Sequence, residues 1–226
     1  MDTTSVNVGC GLIATAPVVA VHCVLISKYR FILIGWFSSF ISTILLIFCS
    51  LSALFTNNPW YILLFSIPID NIGKPILKYF GYKQQFLASP NDHSSLGLAM
   101  GMGYALAHVL ILYLPMVFNQ PFSLEFDVDH PKYLPNSLDL ALSNHAMSIF
   151  HMATGILYFR FSEWNIFLMY GICTVAQFVI AAVTQIRILW LKFILLFGAS
   201  YGLFFFAIYS LRSMKYTKLE EKDHDE

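Results

Sequence analysis

Seven apolar segments, each about as long as a membrane is thick, constrain the fold of this 226-residue chain more than any other feature. An α-helix needs about 20 mostly apolar residues to cross roughly 30 Å of hydrocarbon, because it rises about 1.5 Å per residue. The predicted spans lie near residues 8–27, 31–55, 59–80, 95–118, 138–159, 164–184 and 189–211. The third is interrupted by Pro68, Asp70, Asn71, Gly73, Lys74 and Pro75, and without it the count would be six.

The composition favours the same class of protein. Hydrophobic residues make up 58% of the chain and charged residues 12%, whereas a soluble domain carries about 25% charged residues because its surface faces water. The sequence therefore predicts an all-α polytopic membrane protein, with one transmembrane domain at residues 1–213. The long connection at residues 119–136 is acidic and rich in proline, which predicts a structured outer loop. Residues 214–226 alternate acids and bases and are predicted to form a mobile, solvated tail.

The distribution of basic residues predicts the orientation. If the N-terminus lies outside the cytosol, nine basic residues fall on the cytosolic side: Lys28, Arg30, Lys78, Lys83, Arg160, Arg212, Lys215, Lys218 and Lys222. The opposite side then receives only Lys132 and Arg187. Cytosolic loops of membrane proteins carry an excess of Lys and Arg, so this bias predicts a lumenal or extracellular N-terminus and a cytosolic C-terminus. The formal net charge of zero predicts no nucleic-acid partner.

Small residues recur at helical spacing in two of the predicted spans. The fourth span contains Gly97-x3-Gly101-x3-Ala105, and the seventh contains Gly198-x3-Gly202. Helices in lipid associate through close van der Waals contact, which such small-residue faces permit. Packing within the chain is the ordinary explanation for one such face. With two of them, one face could instead serve a partner protein.

Ionisable residues inside the third span are a rarer feature. Asp70 and Lys74 are four residues apart, which lets a carboxylate meet an ammonium group one helical turn away. Each charge alone would cost about 2.5–3.5 kcal/mol at the bilayer centre, so we expect the two to pair. Such a pair either holds helices together or lines a polar cavity.

Histidines and other polar residues inside the spans predict a polar interior. On the fifth span, His145, Ser148 and His151 fall within one sector of about 120°. On the sixth span, Cys173, Gln177 and Thr184 share a face. For His22 and His108, a hydrogen bond to a backbone carbonyl is the simpler expectation. The four cysteines include no C-x-x-C spacing, so they suggest neither a disulfide framework nor a zinc site.

The motifs that suggest catalysis are incomplete. Residues 198–202 match G-x-S-x-G around Ser200, but a serine nucleophile needs a nearby base and only His224 follows it. Asp70 lacks a second intramembrane aspartate for an aspartyl protease. Two non-protease alternatives stay open, namely a membrane cytochrome with bis-histidine haem ligation and a seven-helix receptor. The third-span basic triplet and the N-P-x-x-Y sequence of the common receptor class are both absent.

Several motifs together resemble the anterior-pharynx-defective (Aph) family, a seven-span subunit of γ-secretase. They are Gly9-Cys10-x3-Ala14-x2-Pro17, the Gly97 to Ala105 stripe, Asp129-His130-Pro131-Lys132-Tyr133, Ile149-Phe150-His151-x3-Gly155 and Ser210-Leu211-Arg212-Ser213. Their order and spacing follow the family over nearly the whole chain. The chain departs from it at Cys173, where the family has a second important histidine. It departs again in the third span, where Asn71 and Lys74 replace an acid and an arginine.

The resemblance implies a non-catalytic scaffold without a cofactor. The family assembles with nicastrin and binds presenilin, which carries the protease aspartates, and the presenilin enhancer subunit. Gly97, Gly101, Ala105, Gly198 and Gly202 are then expected to permit close helix contact. The residues expected to shape a polar interior that contacts presenilin are Asp70, Lys74, His145, His151, Cys173 and Gln177. The membranes of the endoplasmic reticulum, Golgi and cell surface are the implied location.

Overall fold

Seven α-helices form the described part of the chain in a computed structural model, which covers residues 3–25, 28–51, 58–83, 90–113, 136–161, 165–186 and 188–224. They are α1 (Thr3–Leu25), α2 (Tyr29–Leu51), α3 (Pro59–Lys83), α4 (Pro90–His108), α5 (Asn136–Arg160), α6 (Ile166–Thr184) and α7 (Leu189–His224). A π-helical turn, Val109–Tyr113, continues α4. The described residues contain no strand, so the all-α prediction is confirmed. The predicted outer loop at 119–136 lies outside the described residues, except for Asn136 at the start of α5.

Within the described residues, five helices are long and apolar enough to cross a membrane: α1, α2, α4, α6 and α7. Helices α3 and α5 do not meet the same criterion of length and hydropathy, although they match the predicted third and fifth spans. Helix α3 carries three charged residues near its middle, Asp70, Lys74 and Lys78, and α5 is rich in Ser, Asn and His. Their polar residues therefore distinguish these two helices from the other five.

Helices α4 and α5 occupy the centre of the bundle. They pack along each other, α2 lies against α4, and α1 and α7 lie against α5. Every side chain of α5 from Ser148 to Phe159 is buried. A helix surrounded by protein can carry polar groups, because other side chains rather than hydrocarbon surround them. The low hydropathy of α5 follows from this central position.

Contacts between helices give the relative directions of α2, α4, α5 and α7. The Lys192 ammonium, near the start of α7, lies 2.6 Å from the carboxylate of Asp139, near the start of α5. Lys28, just before α2, donates a hydrogen bond of 3.1 Å to Ser95 near the start of α4. Helices α5 and α7 thus begin at the same face of the bundle, and so do α2 and α4. Gly97 lies against Ile156 and Gly101 against Met152, so α4 and α5 run in opposite directions.

Asparagine side chains cap the N-termini of α6 and α3, and α3 continues through two prolines. The Asn165 side chain accepts a hydrogen bond of 2.9 Å from the backbone N–H of Phe167 and caps α6. Asn58 does the same for α3. Helix α3 continues through Pro68 and Pro75, and the Tyr170 hydroxyl of α6 donates to the Pro68 carbonyl at 3.0 Å. This hydrogen bond joins α6 to α3 beside the proline.

Helix α7 extends beyond the predicted seventh span. It continues to His224, through most of the segment for which we predicted a mobile tail. This segment is rich in Lys, Glu and Leu, which have high helix propensity. A helix that already exists also elongates easily, since only nucleation is unfavourable.

Candidate functional site

Four helices bring their polar residues together at one buried site, which we call the polar cluster. Helix α3 contributes three residues, α5 two, and α4 and α6 one each. The members are Asp70, Asn71, Lys74, His108, His151, Thr154 and Gln177, and all are buried. Lys74 and His151 have no exposed surface at all.

Lys74 does not form the predicted ion pair with Asp70. Its ammonium group donates a hydrogen bond of 2.8 Å to the Asn71 side-chain oxygen and one of 3.1 Å to the Thr154 hydroxyl of α5. The ammonium also lies over the rings of Tyr104 and Phe150, at 5.3 and 5.9 Å from their centroids. Hydrogen bonds and aromatic faces therefore surround the charge in place of a carboxylate.

The carboxylate of Asp70 contacts three other helices. Gln177 of α6 donates its amide to Asp70 Oδ2 at 3.2 Å, and Ser42 of α2 donates its hydroxyl to Oδ1 at 3.4 Å. His108 of α4 approaches with Nε2 at 3.5 Å from Oδ2. The Gln177 carbonyl oxygen meanwhile accepts a hydrogen bond of 2.8 Å from Asn71. Asp70 is thus the junction of α2, α3, α4 and α6.

The imidazoles of His108 and His151 lie directly against each other. Their ring centroids are 4.3 Å apart, so a haem macrocycle has no room between these two rings. His108 Nδ1 is 2.9 Å from the carbonyl oxygen of Tyr104, which agrees with the expected backbone bond, but its other nitrogen faces Asp70. Both ring nitrogens of His151 are buried and have no hydrogen-bond partner among the described residues.

His145 belongs to a different site from His151. Its Nδ1 lies 2.9 Å from the Ile13 carbonyl of α1, and its Nε2 lies 2.8 Å from the Tyr201 hydroxyl of α7. A sector of 120° is wide enough for its two edges to face different helices. The expectation that His145 lines the same polar interior is therefore wrong. Cys173 is buried among the apolar side chains of the main core.

The two small-residue faces have different surroundings. A Cβ atom added at Gly97 would approach the Ile156 Cα of α5 to 2.6 Å, and one at Gly101 would approach the Met152 Cα to 2.5 Å. Ala105, on the same face, is fully buried. Gly198 and Gly202 are exposed, and an added Cβ would meet nothing within 4 Å. The α4 face is thus occupied by α5, whereas no described residue covers the α7 face.

Three contributors were not singled out from the sequence as parts of this site. They are Asn71, His108 and Thr154, and Ser42 of α2 also donates a hydrogen bond to Asp70. Thr154 lies three residues after His151, and the i, i+3 spacing of a helix could have identified it. Ser42 and His108 gave no such signal, because their roles depend on which helix packs against them.

Comparison of the chain with protein-family models and with curated proteins finds no match.

Proposed function

We propose that this chain is a seven-span membrane protein that acts as a non-catalytic scaffold in a γ-secretase-type complex. The observation that carries the proposal is that its buried polar residues bond to one another across three helices, α3, α5 and α6. Such a network holds helices in a fixed arrangement and leaves apolar side chains on the outside. The motifs that resemble the Aph family support the identity of the complex.

The proposal includes α3 and α5 as membrane spans with the N-terminus outside the cytosol. Their polar groups are turned into the bundle, where protein groups rather than lipid surround them. The opposite directions of α4 and α5, and the shared directions of α2 with α4 and of α5 with α7, fit a chain that crosses the membrane at each helix. The excess of basic residues at one face supports the orientation.

The surroundings of Ser200 support a role without catalysis. Its hydroxyl is buried and has no hydrogen-bond partner among the described residues. The nitrogens of His145, one helix away, are already bonded to Ile13 and Tyr201. A serine nucleophile needs a base within hydrogen-bond reach, and the described part of the chain supplies none at Ser200.

The face of α7 around Gly198 and Gly202 is the surface that we assign to a partner helix. It is exposed, and it allows another backbone to approach closely. The corresponding face of α4 is already covered by α5. Presenilin, nicastrin and the presenilin enhancer are the partners that the resemblance implies, together with membrane lipid. The same resemblance places the complex in the endoplasmic reticulum, Golgi and plasma membrane.

Isolation of the full chain in mild detergent, followed by mass spectrometry, tests the proposal. We expect presenilin and nicastrin homologues to co-purify. Gly198→Leu with Gly202→Leu should lose them while the chain stays folded, because a bulky side chain blocks a close helix contact. Gly171→Leu is the matched control, since Gly171 of α6 also has open space around it. A heterotrimeric G protein as the only companion would instead favour the receptor, and a haem absorption band would favour the cytochrome.

A further inference from the structure

We infer that Asp70, His108 and His151 form a binding site for a divalent first-row transition-metal ion, for which zinc is the appropriate probe. The three residues come from α3, α4 and α5, so a bound ion would tie the centre of the bundle together. Two imidazoles and a carboxylate are a ligand set that suits zinc and its neighbours. This inference is independent of the proposed scaffold function.

The donor atoms are close enough to share one ion. One ligand atom from each residue lies within 4.8 Å of the other two, and Asp70 Oδ2 is 3.5 Å from His108 Nε2. Ligand bonds of about 2.0–2.1 Å in a tetrahedron place neighbouring ligand atoms roughly 3.3 Å apart. The Asp70–His108 pair is already close to this spacing. A rotation of the His151 side chain would bring its nitrogen from within 4.8 Å to the same distance.

The hydrogen bond of His108 to the backbone calls for a cation between His108 and Asp70. A carbonyl oxygen only accepts, so His108 Nδ1 must donate its hydrogen to Tyr104. In the neutral ring, Nε2 then presents a lone pair to the Asp70 carboxylate, which also only accepts. A proton or a metal ion must lie between the two acceptors. Metal-bound histidines commonly donate their other nitrogen to a carbonyl in the same way.

His151 supplies the second indication of a ligand. Its ring is fully buried, and in the described part of the chain both nitrogens lack a hydrogen-bond partner. A buried polar atom without a partner costs about 1–3 kcal/mol, so native proteins rarely leave one unsatisfied. Among the described residues His151 has no hydrogen bond to break, so turning its side chain toward an ion beside His108, whose ring it already contacts, would cost no hydrogen bond.

The carboxylate ligand is already oriented by its neighbours. Gln177 and Ser42 each donate a hydrogen bond to a different oxygen of Asp70. Outer contacts of this kind fix metal ligands, and their loss lowers metal affinity about 10–100-fold. The site therefore has both a ligand set and a supporting shell.

The positive charge of Lys74 should weaken the binding of a cation at this site, and its removal tests this effect. Its ammonium is directed away from Asp70 toward Asn71 and Thr154, but it belongs to the same buried cluster. Two positive charges repel strongly where water is excluded. Lys74→Met should therefore tighten zinc binding, whereas loss of a merely structural lysine would not.

The experiment is a zinc titration of the full-length chain in detergent, purified with a tag that contains no histidine and stripped with a chelator. We expect about one zinc per chain, and absorption bands of four- or five-coordinate cobalt when cobalt replaces zinc. Asp70→Asn and His151→Gln should each lower the affinity at least about tenfold. His145→Gln is the matched control, because that histidine lies outside the site, and it should bind zinc like the wild type.

Folding is monitored separately by size-exclusion profile and thermal melting. Zinc should raise the melting temperature of the wild type and of His145→Gln, because a ligand that binds only the folded state stabilises it. The folded Asp70→Asn or His151→Gln chain should show no such rise. The inference is overturned if the wild type binds no zinc. Unchanged affinity in folded Asp70→Asn or His151→Gln would also overturn it.

Discussion

The backbone of Gly101 lies directly against the backbone of Met152, where the two central helices α4 and α5 cross. A single added methyl group at Gly101 would bring its carbon to 2.5 Å from the Met152 Cα, closer than carbon atoms can approach. Gly155 of α5 faces Gly97 and Gly101 in the same way. The contact between these helices therefore depends on the absence of side chains, as expected for helix association in lipid.

Gly101→Ala should destabilise the protein by about 1–3 kcal/mol, because the methyl group overpacks a contact between two backbones. We expect a lower midpoint when unfolding in denaturing detergent is followed by circular dichroism. Gly198→Ala is the matched control on α7, where the added methyl meets nothing within 4 Å. That variant should unfold like the wild type. Equal midpoints for Gly101→Ala and the wild type would contradict the observed contact.

How much of the fold and of the polar cluster the sequence predicts depends on how far apart the interacting residues lie along the chain. The helices follow from local properties, namely the length of the apolar segments and the glycine spacing, and the all-α fold was predicted from them. The same local reasoning paired Asp70 with Lys74 and passed over Asn71, which lies on the same helix and accepts a hydrogen bond from Lys74. The actual partner Thr154 lies 80 residues from Lys74 along the chain, and Gln177 lies 107 residues from Asp70.

The two histidines of α5 show the same limit. His145 and His151 share a helix, but α1 and α7 surround the first, whereas α3 and α4 surround the second. Only the order in which helices pack around α5 separates their roles. Helical periodicity gives the angle between two side chains and leaves open which neighbour each one meets.

Thr154→Val should destabilise the polar cluster by about 1–3 kcal/mol, because it removes an acceptor of the buried Lys74 ammonium while keeping the shape of the side chain. Thr15→Val is the matched control. The Thr15 hydroxyl bonds only to backbone carbonyls of its own helix, at 2.8 and 3.4 Å. Thermal unfolding in detergent compares the two variants. If both lower the melting temperature equally, Thr154 has no special role for Lys74.

His145 should stabilise the contact of α5 with α1 and α7 through its two hydrogen bonds. Tyr201→Phe removes one of them and should cost about 0.5–1.5 kcal/mol, and His145→Phe should cost more because it removes both. In the double variant, the Tyr201 substitution should add little, since its partner is already gone. A double-mutant cycle of unfolding free energies measures this coupling. Strictly additive effects would show that the hydroxyl and the imidazole act independently.

The ion pair between Lys192 and Asp139 should respond asymmetrically to the removal of its two members. The Lys192 side chain is 8% exposed and the Asp139 side chain 32%, and the pair joins the first turns of α7 and α5. Asp139→Asn leaves a nearly buried ammonium near a helix N-terminus, where the helix dipole disfavours positive charge. Lys192→Gln leaves a partly solvated carboxylate at a helix N-terminus, where negative charge is favoured.

We therefore expect Asp139→Asn to lower the free energy of unfolding by about 3 kcal/mol, as for a broken buried pair, and Lys192→Gln to lower it much less. Denaturing-detergent titrations of the two variants measure the difference, and a larger loss for Lys192→Gln would rule out this explanation.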